Sequence, residues 1–351
     1  MLKIYYTLER CKFKSQLQMI FRVHFYILNM MKNRKPITFI RTCIVAILLT
    51  SLFSKIAWTK EIESTTQATS VINRIPYDFE TPAFPNTTEG KLGQYGQLLI
   101  NKTYTQIGPT SKNPITNNRL ACANCHLNGG TKPFALPLIG LSGVFPMYIG
   151  REDKIESLEE RVNGCIERSM NGKAIEVNSN EMRAIITYIK HISKNTVIGQ
   201  RTEGQGLTQI KNPERPASPQ NGAKVYSKHC ISCHGENGEG KTASINGEEE
   251  YLFPPLWGAN SFNDGAGMAR ILTAARFIKG NMPLGTTALN PVLSDEEAYD
   301  VAAYINSNIR PIKSNKNKDY PNLTQKPKDS PYPPFSDNIS QQQHKYGPFN
   351  F

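Results

Sequence analysis

Residues 122–126 read CANCH and residues 230–234 read CISCH. Two thiols separated by two residues, with a histidine directly after the second, form the signature of covalent haem attachment. The cysteines bond to the porphyrin vinyl groups, and the histidine is thereby fixed beneath the iron. Cys122 and Cys125 are therefore expected to carry one haem c with His126 as axial ligand, and Cys230 and Cys233 a second with His234. A zinc site needs four ligands, and the remaining histidines supply no matching second pair. Nested disulfides would leave both histidines unexplained.

Outward from each motif the chain repeats one order: helix, haem motif, helices, closing helix. A helical pattern from about Gly90 places Leu92, Tyr95, Leu98 and Leu99 at three- and four-residue steps before CANCH. Helices are expected over 154–170, ended by Asn171-Gly172, and over 180–192, with Met182, Ile185, Ile186 and Ile189 on one face. In the second half, a helix from Gly222 runs into CISCH and another covers about 266–279. Ser294 caps a last one that reaches Asn306. The expected fold class is mainly α, two consecutive cytochrome c-type domains, each around one covalently bound haem. The divisions are 1–58 leader, 59–195 first cytochrome domain, 196–220 polar Gly/Pro-rich linker, 221–310 second cytochrome domain and 311–351 Pro-rich tail. Domains this short gain much of their core from the macrocycle itself.

The formal charge is +12, which invites a nucleic-acid reading. Of the 41 Lys and Arg, however, ten lie in residues 1–58 beside a single acidic residue, Glu9; beyond them 31 basic groups face 28 acidic ones. The basicity is mostly that of a leader, and no nucleic-acid partner is expected. Within it, KNRK at 32–35 precedes the apolar run CIVAILLTSLF at 43–53, a signal-peptide pattern too short for a comfortable membrane span. Met30 and Met31 offer an alternative start. Cleavage near Ala57 and an uncleaved membrane anchor are the two alternatives, and both place the protein in the periplasm. There, cysteines serve as disulfides, haem attachments or metal ligands.

The sixth ligands separate a carrier from an enzyme. For haem 2, Met282 lies about fifty residues after CISCH, in a Gly-Asn-Met-Pro loop before the closing helix. A thioether there raises the potential; Lys279 is the competing candidate. The equivalent loop is absent from the first domain. Instead, a lone cysteine, Cys165, stands in RVNGCIERSMNGK (161–173) about forty residues after CANCH. On a helix over 154–170, Ile155, Leu158, Val162 and Ile166 form the buried stripe. Arg161 and Ser169 sit one turn either side of Cys165, and Arg168 is also near. A buried lone cysteine is commonly an inert small hydrophobe; neighbouring cations lower a thiol pKa and favour the thiolate. Haem 1 is thus expected to be Cys165-ligated and of low potential, and haem 2 Met282-ligated and of higher potential. Arginines around a sulfur nucleophile suggest an anionic, sulfur-containing substrate.

The segments CANCHLNGGTKP, LEERVNGCIERSMNGK, GNMPLG and the tail QHKYGPF resemble the thiosulfate dehydrogenase (tetrathionate synthase) family of dihaem cytochromes c, from about Gly90 to Phe351. The resemblance implies an oxidoreductase that interconverts two thiosulfates and one tetrathionate. Electrons pass through haem 1 to haem 2 and on to an external partner, a small cytochrome c or other high-potential protein. It also implies Cys165 as distal ligand of the catalytic haem, Arg161 and Ser169 as substrate-pocket residues, and Arg151 as another. For Arg151 the alternative is a surface arginine at a helix start. Some family members carry lysine directly before the distal methionine; here that residue is Asn281. The resemblance further implies a packed tail. The alternative from another class is a non-catalytic dihaem electron carrier, which predicts Met or His at both irons and no arginine-lined pocket.

Overall fold

The computed structural model describes residues 71–245 and 248–351. The expected leader, with Cys11 and Cys43, lies outside the described residues. Val71–Phe351 forms one unit with two hydrophobic cores in sequence: one gathers residues from Ile75 to Ile192, the other from Ile210 to Phe349.

The first core is built on α1 (Thr88–Asn101), the short α2 (Thr103–Ile107), α3 (Leu158–Arg168) and α4 (Asn180–Ile192). Between α2 and α3 stand the CANCH turn and a two-stranded antiparallel hairpin, β1 (Met147–Ile149) with β2 (Lys154–Glu156). The second core is built on α5 (Pro219–His229), α6 (Ile231–His234), α7 (Ile271–Asn281) and α8 (Asp295–Ser307). A second hairpin, β3 (Lys241–Ile245) with β4 (Glu248–Phe253), follows CISCH. A last short helix, α9 (Gln341–Tyr346), lies in the tail.

The two domains share one crossing. In α1, a Cβ on Gly96 would stand 2.0 Å from the Ala184 carbonyl oxygen and 2.8 Å from the Tyr188 Cβ of α4. In α5, a Cβ on Gly222 would stand 2.0 Å from the Asp300 oxygen and 2.8 Å from the Tyr304 Cβ of α8. Glycine at each site lets the first helix lie directly on the backbone of the last. That contact brings the haem motif, which follows the first helix, back against the closing helix. The apolar stripe of α4, with Met182, Ile185 and Ile189 almost wholly buried, seals the first crossing. Each such side chain contributes roughly 1.5–3 kcal/mol on burial.

The helix expected from residue 154 begins later. Residues 154–156 pair instead with 147–149, and Ser157 starts α3 with a capping box: its hydroxyl accepts from the Glu160 N–H while the Glu160 carboxylate accepts from the Ser157 N–H. Ile155, expected in the buried stripe, is consequently a strand residue, 62% exposed. Likewise, the helix expected from 266 starts at Ile271, after a single 3-10 turn over Gly267–Ala269.

Of the segment 196–220, residues 196–207 lie along the first domain, whereas Ile210 and Ala217 belong to the second core and Arg215 pairs with Asp300 at 2.8 Å. Gly199 N–H donates to the Gly143 carbonyl at 2.8 Å, Phe134 N–H to the Gly204 carbonyl at 2.7 Å, and Leu207 pairs with Ala135. The tail 311–351 runs back over both domains. Tyr320 and Tyr332 are buried beside the first, whereas Phe349 packs into the second core against Tyr299. Side-chain amides tie the halves together: Asn118 donates to the carbonyls of Ser169 and Ser261, at 2.9 and 3.2 Å, and Asn263 donates to that of Glu167, at 2.9 Å. The acidic strand β4 reaches the first domain through Glu249 on Arg119, at 2.7 Å, and Glu250 on Lys102. Among the described residues, no helix is long and apolar enough to cross a membrane.

Candidate active site

A cavity of about 610 Å³ opens in the first domain, within the range of ligand sites. Its walls are largely apolar, from Ile100, Leu138, Ile185 and Ile189 among others, and Cys122, Cys125, His126 and Cys165 all face into it. The His126 Nδ1–H donates to the Leu136 carbonyl, presented by a loop in which Phe134 and Leu136 both hold left-handed φ, 59° and 53°. That bond leaves Nε2, which is turned toward Cys165, as the metal-competent nitrogen. His234 repeats the arrangement in the second domain, its Nδ1–H on the Pro254 carbonyl at 2.9 Å. Two thiols, an imidazole oriented by a carbonyl and an apolar hollow fit a covalently held haem. Met282, at the end of α7, packs into the second core together with Cys230 and Ile231. The competing candidate, Lys279, is engaged elsewhere: its Nζ donates to the Leu293 carbonyl at 2.6 Å and meets Asp295 at 3.0 Å.

Cys165 differs from the attachment cysteines. Burial pushes Cys122 and Cys230 up to about 11 and Cys125 up to about 12. Burial pushes Cys165 upward too, but Arg161, His126 and Arg151 outweigh it and bring the thiol down to about 7. The geometry follows from α3. Arg161 and Ser169 stand at i−4 and i+4 of Cys165, on one face, and both line the cavity; Ser169 is the C-cap residue of the helix. Arg151 arrives separately, at the tip of the β1–β2 hairpin, and lines the same cavity. It is not at a helix start.

Arg168, also expected near the thiol, points away. It is buried, makes a two-pronged ion pair with Asp319 at 2.8 Å for each bond, and lies 3.5 Å from Glu152. Arg151 and Arg161, in contrast, have no carboxylate within 4.0 Å among the described residues, and neither does Arg201. Arg201 was not legible as a site residue. It lies in the segment read as a linker, is exposed, and lines the cavity beside Gln205. The tail contributes Tyr320, Gln325 and Pro327 to the wall, also unforeseen.

Two helical domains, each opening on a CxxCH turn whose histidine is oriented by a backbone carbonyl, define a two-domain c-type cytochrome. Residues 112–198 match the family model described as SoxA/TsdA, cytochrome c domain, and residues 217–305 that described as Cytochrome C oxidase, cbb3-type, subunit III. The chain is 40% identical over 238 residues to a thiosulfate dehydrogenase of Psychrobacter arcticus, covering 68% of this chain and 69% of the relative. It is 36% identical over 235 residues to that of Allochromatium vinosum, covering 66% and 84%. Among solved structures, the thiosulfate dehydrogenase (TsdBA) of Marichromatium purpuratum, in its as-isolated form, aligns with a TM-score of 0.61 at 35% identity. The alignment covers 68% of this chain and 50% of that one, so this chain spans about half the length of that protein. The chain belongs to the thiosulfate dehydrogenase family. It is an oxidoreductase whose two cytochrome c domains each bind one covalent haem c.

Proposed function

We propose that the chain joins two thiosulfates into one tetrathionate, and can run the reaction backwards, at the cavity around Cys165. The observation that carries this reading is that Cys165 shares one cavity with Arg151 and Arg161, which have no carboxylate within 4.0 Å among the described residues. Half-buried guanidinium groups with no carboxylate in contact attract an anion to the cavity; an incoming dianion fits them.

His126 and Cys165 would hold the iron of haem 1, and His234 and Met282 that of haem 2. Arg151, Arg161 and Ser169 bind the sulfonate oxygens and screen the repulsion between two dianions. The sulfane sulfur of the first thiosulfate bonds to the Cys165 sulfur, which releases two electrons. The sulfane sulfur of the second then attacks that outer sulfur. The S–S bond of tetrathionate forms, the bond to Cys165 breaks, and the thiolate returns. The haems, when bound, supply the one-electron acceptors for the two electrons released. An external small cytochrome c or other high-potential protein then takes them up. An exported location fits the two CxxCH motifs and the leader pattern in the sequence.

The test is anaerobic assay of purified haem-loaded protein, with thiosulfate and ferricyanide in one direction and with tetrathionate and a reduced dye in the other. Turnover in at least one is expected; silence in both overturns the reading.

A further inference from the structure

The tail crosses from the second domain to the first and touches the hairpin that carries Arg151. Tyr320 N–H donates to the Arg151 carbonyl at 2.7 Å, which sets the two residues side by side through the main chain. The side chains then meet again. The Arg151 Nε–H donates to the Tyr320 hydroxyl at 3.4 Å, and the guanidinium carbon lies 5.9 Å from the centre of the Tyr320 ring. Tyr320 is 4% exposed and holds a φ of 58°, a left-handed conformation that a bulky residue keeps only when its surroundings enforce it.

The surroundings do enforce it. The preceding residue, Asp319, is clamped by both guanidinium nitrogens of Arg168 and accepts from the Tyr332 hydroxyl at 2.7 Å. Lys326 closes the loop from the far side. Its ammonium lies 5.8 Å from the Tyr320 ring, 5.1 Å from that of Tyr332 and 4.8 Å from that of Phe335, and it donates to the carbonyls of Tyr332 and Pro334 at 2.6 Å each. Gln325, on the same loop, approaches so near that a Cβ on Gly150 would lie 3.0 Å from its own Cβ. The loop is thus anchored on both flanks while one of its residues touches an arginine that has no carboxylate within 4.0 Å among the described residues.

We propose that residues 319–332 form a substrate wall supplied from beyond the second cytochrome domain, in which Tyr320 is a positioning residue that aims the Arg151 guanidinium into the cavity of the first. An arginine in the turn between two three-residue strands has many rotamers, and a dianion gains most from a cation already in place. The tyrosine offers Arg151 a neutral acceptor and an aromatic face, which orient it without neutralising it. A carboxylate there would orient it too, but would cancel the charge the substrate needs. This proposal rests on the reading of Arg151 as a thiosulfate ligand.

The experiment compares Tyr320→Phe with the unaltered haem-loaded protein and repeats the comparison in an Arg151→Lys background, which keeps a positive charge but has no Nε to engage the hydroxyl. In the unaltered background, Tyr320→Phe should raise the KM for thiosulfate roughly fivefold, as for one long hydrogen bond, with kcat changed less. Haem content, the spectrum of haem 1 and the thermal midpoint should not move. In the Arg151→Lys background the same change should have no further effect on KM, because coupled residues are not additive. An unchanged KM in the first background, or an equal rise in both, overturns the proposal. If the unaltered protein does not turn over thiosulfate at all, it is the function that fails.

Discussion

The side-chain amide of Asn281 donates to the Phe134 carbonyl at 3.0 Å and to the Phe277 carbonyl at 3.0 Å. One residue thereby fastens the end of α7, where Met282 follows, to the loop whose Leu136 carbonyl orients His126. Lys132 reinforces the seam by donating to the Thr286 carbonyl at 3.1 Å. The loops that present the proposed ligands of both haems therefore meet.

Asn281→Ala should leave the part-buried Phe134 carbonyl and the buried Phe277 carbonyl without this side-chain partner. A lost buried hydrogen bond of this kind costs about 1–3 kcal/mol. The buried Asn281 Oδ1 has no hydrogen-bond partner among the described residues, so its removal offsets part of that cost. Urea unfolding checks the size, and both haems should stay attached.

Met282→Gly should abolish the sulfur-to-iron charge-transfer band of haem 2 and lower its potential. Lys279 is tied to Leu293 and Asp295, so no amine ligation should replace it. Absorption spectra and redox titration of the variant check both statements.

Gly96→Ala and Gly222→Ala should each disrupt a helix crossing, since the new Cβ would stand 2.0 Å from a backbone oxygen. Overpacking against backbone costs about 1–3 kcal/mol or more. Gly164→Ala is the contrast. It is a helical position where a Cβ meets nothing within 4 Å, so it should be neutral or gain up to about 1 kcal/mol from lower unfolded-state entropy. Thermal melts of the three variants separate these cases.

Arg161→Ala should move the acid limb of haem 1 ligation. The Cys165 thiol sits at about 7, below its ordinary value of 9.0, with Arg161 the foremost opponent of the burial that raises it. In the metal-free site the thiolate prevails above about pH 7 and is lost as pH falls through that value; iron coordination would hold the sulfur deprotonated to lower pH still. Removing Arg161 raises the thiol pKa and shifts the loss to higher pH. A pH titration of the haem 1 spectrum should show the transition displaced upward.

The haem sites were legible because their chemistry is local. CxxCH is five residues long, and two of the residues around Cys165, Arg161 and Ser169, are one turn away on its own helix. The start of α3 was also written locally, in Ser157 and Glu160, but the apolar Ile155 extended the helical pattern through it. What that pattern cannot register is that residues 154–156 find strand partners at 147–149. Arg168 shows the other kind of loss. Its spacing from Cys165 is right, yet Asp319, 151 positions onward, claims it. Tyr320 and Gln325 line the cavity through the same long-range contact. Arg201 was hidden because a Gly- and Pro-rich segment looks like a linker whether it floats or lies along a pocket.

The most direct measurement is turnover of Cys165→Ala by the thiosulfate–ferricyanide assay, with haem content measured on the same sample. Loss of one small side chain costs only about 1 kcal/mol of packing, so the variant should fold with both haems attached. The account predicts activity near background, since the sulfur that receives the first thiosulfate is gone. Substantial turnover by a fully haem-loaded Cys165→Ala protein would contradict it and move the active site away from the first domain.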